Sequence, residues 1–136
     1  MPLKLVYQRY DFTAEEMLCG GKRQMRLPNA SLALVERAKI TEYLLNREHP
    51  DNGGKADFFI ALGFRADDWE TMAAALRILA INYPVNLSVE SPHGKKYIVD
   101  GAIETPVGKT PMVRTVWIID TGETVPRLVT AYPYEE

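Results

Sequence analysis

Met112-Val113-Arg114-Thr115-Val116-Trp117-Ile118-Ile119-Asp120 is the stretch that decides the fold. β-Branched and aromatic residues dominate it, which favours an extended chain. Side chains alternate along a strand, so Val113, Thr115, Trp117 and Ile119 share one face. Arg114, Val116, Ile118 and Asp120 share the other. Both faces are mostly apolar, as expected of a central strand covered on two sides. Arg114 then lies on an otherwise apolar face and calls for an anionic partner.

Working outward, Asp120-Thr121-Gly122-Glu123 reads as a hairpin connection, and Pro126 to Tyr132 as the next strand. On that strand Thr130 and Tyr132 stand two apart and share a face. Upstream, Leu87–Glu90 and Lys96–Asp100 have the same texture, punctuated by Gly, Pro and Asp. Short connections between successive strands favour an antiparallel meander.

Before Pro84 the periodicity is helical. Ile40, Tyr43 and Leu44 form an i, i+3, i+4 apolar stripe that stops before Pro50. A second helix begins near Lys55, carries Phe58, Phe59 and Leu62, and stops at Gly63. Asp67 and Glu70 have capping-box spacing for a third helix. Its apolar face is Trp69, Met72, Ala73, Leu76, Leu79 and Ala80. Helices first and sheet second define an α+β fold: two to three N-terminal helices packed on a C-terminal four-stranded antiparallel sheet.

The chain has 136 residues, which suits one domain. Residues 1–26 read as an N-terminal arm and 27–136 as a single α+β domain. Within the arm, Leu3, Leu5 and Tyr7 have weak strand spacing, and Cys19-Gly20-Gly21-Lys22 reads as a turn. A homodimer paired through that arm is an open alternative. Cys19 is the single cysteine, so no internal disulfide forms. That fits a cytoplasmic setting. The first ten residues lack the apolar run of a secretory leader, and no stretch reaches the ~18 apolar residues of a membrane span. No membrane association is expected. The net charge of −2 argues against non-specific coating of nucleic acid, though a local basic cleft is compatible with it.

Several chemistries lack their motifs. Gly20-Gly21-Lys22 misses the upstream glycine and the following Ser or Thr of a phosphate-binding loop. His49 and His93 stand far apart, so no metal site and no cofactor is expected. No serine nucleophile elbow occurs. A dispersed polar set remains. Lys55 opens a helix, where its charge opposes the dipole. It is either simply solvated or holds a phosphate together with free N–H groups of that helix start. Arg114, Thr115, Thr130 and Tyr132 are either an Arg–carboxylate pair among β-forming residues or a phosphate clamp. His49 is either a turn residue or a general acid or base.

Longer words connect these residues. They are Leu27-Pro28-Asn29-Ala30, Tyr43-Leu44-Leu45-Asn46-Arg47-Glu48-His49-Pro50, Gly54-Lys55-Ala56, Leu62-Gly63-Phe64, Val113 to Asp120, and Pro126 to Pro133. Together they resemble an uncharacterised bacterial domain family, over about residues 27–133. That family occurs as small standalone proteins and at the C-terminal tips of polymorphic toxins and filamentous adhesins. Such tips are similar to the barnase–EndoU–colicin–RelE superfamily, whose members cut RNA, often tRNA, without a metal.

The resemblance implies that Lys55 is a helix-start base or phosphate binder. Arg114 would be a central-strand cation, and Thr130 and Tyr132 hydroxyl donors of the last strand. There is no strand His and no clear catalytic Glu, so the general base is open between His49 and a neutral Lys55. The expected function is a metal-independent endoribonuclease of the bacterial toxin type. It would be a standalone protein and one half of a toxin–antidote pair. The alternative is a non-catalytic module that binds a small antidote or immunity protein, or an inactive relative of the toxin domain. That alternative predicts an internal carboxylate closing Arg114.

Overall fold

A computed structural model describes residues 25–134. The arm expectations at Leu3, Leu5 and Tyr7 and the turn at Cys19 lie outside the described residues. The expected α+β architecture is observed. A 3-10 turn (Ala30–Leu32) precedes α1, which starts as Arg37–Lys39 and continues as a π turn, Ile40–Leu44. Next come α2 (Lys55–Ala61), a 3-10 turn (Ala66–Asp68) and α3 (Trp69–Asn82). The strands β1 (Val85–Ser91), β2 (Gly94–Ala102), β3 (Met112–Asp120) and β4 (Arg127–Pro133) follow in an antiparallel sheet of order β1-β2-β3-β4.

β3 is one of the two inner strands of the sheet, as its apolar faces foretell. Val113, Thr115 and Trp117 point to the helices and are fully buried. Their neighbours Tyr97 and Val99 of β2 and Leu128 and Ala131 of β4 complete that face. Against it pack Met72, Ala73, Leu76, Leu79 and Ala80 of α3, Ile40 and Leu44 of α1, and Phe59 of α2. Burying an aliphatic or aromatic side chain of this size contributes roughly 1.5–3 kcal/mol, so this layer is what holds helices to sheet. The fully buried Thr115 hydroxyl within it is satisfied: it donates to the Val99 carbonyl at 2.7 Å and accepts from the Trp117 indole at 2.8 Å.

Two local readings change. The Asp67–Glu70 capping box does not form. The Asp67 carboxylate takes the Arg65 guanidinium at 2.8 and 2.6 Å, and Asp68, the residue before the helix, accepts from the Thr71 hydroxyl at 2.7 Å. The nearby guanidinium offers a charged partner that a backbone N–H cannot match. The Ile40–Leu44 stripe is wound as a π turn, with Leu45 N–H donating to the Ile40 carbonyl at 2.9 Å. Gly63 does stop α2, at φ +96°.

β4 is an edge strand, and its two halves are treated differently. Leu34 pairs in parallel with its start: Leu34 N–H donates to Pro126 at 2.8 Å and Leu128 N–H to Leu34 at 2.9 Å. Further along, the register with β3 slips between Val116 and Trp117, leaving Val129 as the extra residue of a bulge. Beyond the bulge, Thr130 and Tyr132 meet α1 and the start of α2 instead of another strand.

Candidate functional site

The site is built where the C-terminal half of β4 meets the connection between α1 and α2. Ile40 and Leu44 anchor the π turn in the core, which leaves Tyr43 half-buried on its flank. The Tyr43 hydroxyl lies 3.1 Å from the Thr130 hydroxyl. The loop after α1 then turns back at Gly53 and Gly54, both with left-handed φ (62° and 88°) that only glycine adopts freely. Asn52, 3% exposed, pins this turn. Its amide donates to the carbonyls of Tyr43 (3.2 Å) and Asn46, and its side-chain oxygen accepts from Gly54 N–H at 3.0 Å. Its backbone carbonyl accepts from Lys55 N–H at 3.0 Å, so one of the helix-start donors expected for a phosphate is already used.

Lys55 is thereby brought between two aromatic rings. Its ammonium is 5.5 Å from the Tyr43 ring centre and 5.9 Å from that of Tyr132. Lys39 approaches Tyr43 at 5.2 Å. His49 meets the same ring edge-on, with centres 5.0 Å apart. Its Nδ1 accepts from Asp51 N–H at 3.1 Å. Among the described residues, neither Lys55 nor Lys39 forms an ion pair with a carboxylate. An open cleft of about 430 Å³ lies alongside, lined by Gly53, Gly54, Lys55, Tyr132 and Pro133. Burial opposes ionisation of Tyr43. The Thr130 hydrogen bond and the Lys55 and Lys39 cations outweigh it and draw the phenol below its ordinary range.

Arg114 stands opposite Tyr132 in the strand register, on the same face of the sheet. Its fork is engaged by Asp100 at 2.8 and 2.9 Å, with side chains 25% and 9% exposed. Asp100 also accepts from Asn86 at 2.7 Å, and the guanidinium packs over the Tyr134 ring at 4.4 Å. The Asp100 hydrogen bonds, and after them the Tyr132 hydroxyl, raise the Arg114 pKa further despite partial burial. The structure therefore brings Lys55, His49, Thr130 and Tyr132 together and sets Arg114 behind Tyr132, occupied by a carboxylate. Thr115 is apart from them, fully buried on the opposite face.

Sequence reading missed Tyr43 and Asn52. Tyr43 belongs to an apolar stripe and reads as core. The available signal was its spacing, with Lys39 four residues before it and its own hydroxyl at the end of the stripe. A larger cleft of about 940 Å³ lies between α3 and the segment around Glu104 to Thr110. Its charged lining is Asp68 and Glu104, with no cation, so it does not offer phosphate chemistry.

The fold is one also seen in a toxin–immunity system. A chain of a contact-dependent growth inhibition toxin–immunity protein complex from Klebsiella pneumoniae 342 superposes with a TM-score of 0.61. The match is 15% identical and covers 79% of this chain and 98% of that one. The protein itself belongs to the family described as domain of unknown function DUF6883, whose model matches residues 26–135. That match encloses the family words read in the sequence over about residues 27–133. Comparison with curated proteins finds no match. Among the described residues, no group of three or more His, Cys, Asp or Glu side chains is placed to hold a metal ion. No helix there is long and apolar enough to cross a membrane.

Proposed function

We propose that this domain is a metal-independent endoribonuclease of the bacterial toxin type, acting on RNA such as tRNA. The observation that carries the reading is the Lys55 ammonium, held between Tyr43 and Tyr132 at the mouth of a cleft, with no carboxylate among the described residues paired to it. RNA supplies its own nucleophile, the 2′-hydroxyl. The protein has to stabilise the pentavalent phosphate and move two protons. In this reading Lys55 binds the phosphate, the Thr130 and Tyr132 hydroxyls donate to its oxygens, and His49 Nε2 exchanges a proton. Arg114 acts from behind, by fixing the Tyr132 hydroxyl. The likeness to a chain of a toxin–immunity complex supports a toxin-type domain, and in this reading its partner is a small immunity protein that covers the cleft.

One observation favours a second reading. Asp100 closes Arg114, as a non-catalytic binding module would have it. Incubation of the purified protein with total tRNA in EDTA separates the two. Discrete cleavage is expected from the wild type, with a loss of about 100-fold or more in Lys55→Ala. Intact RNA at high protein concentration would transfer the argument to the binding module.

A further inference from the structure

Three groups of the candidate site touch one residue that the expected chemistry does not use. Tyr43 receives Lys55 from α2 and His49 from the connecting loop on its ring, and Thr130 from β4 on its hydroxyl. Its own element adds Lys39, and Tyr132 of β4 closes on the far side of Lys55. The charged and titratable groups facing it are thus two ammonium groups, an imidazole and a second phenol. Its backbone is held independently, by the Asn52 amide on its carbonyl and by Ile40 and Leu44 in the core.

Such an arrangement has a consequence for the cation. While Tyr43 is neutral, its ring face attracts Lys55 without neutralising it. A lysine seated in this way keeps its charge available to a phosphate. Once Tyr43 is a phenolate, an anion stands beside the same ammonium, and the two pair in place of ammonium and phosphate. We propose that Tyr43 is the positioning residue of the site: its ring seats Lys55, its hydroxyl fixes Thr130, and its ionisation withdraws Lys55 from an RNA phosphate. This rests on the reading of the cleft as an RNA site. It adds a residue to that site and an alkaline limit to its affinity.

The test is binding of a fluorescein-labelled single-stranded 2′-O-methyl RNA oligonucleotide, which keeps the phosphates but lacks the nucleophilic 2′-hydroxyl, by fluorescence anisotropy from neutral to alkaline pH. Wild type, Tyr43→Phe and Tyr43→Leu are compared, each shown to be folded by its thermal midpoint. The wild type loses affinity as Tyr43 ionises. Tyr43→Phe keeps the ring but releases the Thr130 hydroxyl, so it binds about 3-fold more weakly than the wild type near neutrality and holds that affinity to a higher pH. Tyr43→Leu loses the seat as well and binds about 10-fold more weakly at neutral pH. Superimposable pH profiles for wild type and Tyr43→Phe overturn the proposal, even where the EDTA cleavage assay upholds the ribonuclease. Absence of both binding and cleavage in the wild type overturns the two together.

Discussion

Thr115 and Thr130 stand on neighbouring strands and look alike in sequence, yet they do different work. Thr115 is a fully buried relay between the Trp117 indole and the Val99 carbonyl. Thr130 is half-buried and meets Tyr43 across 87 positions of chain. Thr115→Val keeps the shape and strands the indole N–H, so a loss of about 1–3 kcal/mol in urea unfolding is expected, with the cleft unaltered. Arg114 shows what residue-level reasoning can reach: a cation on an apolar face calls for an anion, and Asp100 supplies it. Tyr43 shows where it stops. Apolar spacing alone marks it as core, and its polar role needs a partner that only the folded sheet edge delivers. Its titration is measurable without RNA. Absorbance at 295 nm should show a tyrosine ionising below the ordinary range, absent in Tyr43→Phe and moved upward in Lys55→Met. An unchanged titration in Lys55→Met would remove the link between the two groups.

At the scale of elements, strand positions were legible because β-branched runs and Gly, Pro and Asp breaks act locally. Met112–Asp120 matches β3 in both bounds. The helix ends were less so. A capping box competes with any stronger partner nearby, and Arg65 is that partner for Asp67. The π winding of Ile40–Leu44 was also illegible. It is set by the fit of Ile40 and Leu44 into the core while Asn52 draws the Tyr43 and Asn46 carbonyls toward the next turn. Asn52 therefore joins two short elements, neither of which holds its geometry alone. Asn52→Ala leaves several of these buried groups without partners. The expected result is about 2–3 kcal/mol lower stability together with weaker RNA binding. Lower stability with unaltered binding would show that the loop fixes the fold but not the position of Lys55.

For the whole molecule, helices and sheet share one buried layer, so unfolding is expected to be a single transition. Its acid side depends on carboxylates that gain partners on folding. Hydrogen bonding from Arg127 holds Asp120 below the usual range, against a small opposing effect of burial. Arg65 does the same for Asp67 on a more exposed stretch. A carboxylate with a depressed folded pKa adds stability that is complete above its unfolded value of about 3.9. That stability is lost as pH falls through the lower folded value. The Asp120–Arg127 pair, at 2.7 Å, closes the β3–β4 connection beside the backbone bridge between Leu34 and Arg127. Asp120→Asn should lower the urea midpoint near neutrality and flatten its fall between about pH 5 and pH 2, because one of the groups driving that fall is gone. Asp67→Asn should change less, and its effect should vanish first as salt is added, since both partners there are largely in solvent. Unfolding followed by the fluorescence of buried Trp117 measures both. Equal acid slopes in wild type and Asp120→Asn would mean that the pair is as well formed in the unfolded chain as in the sheet.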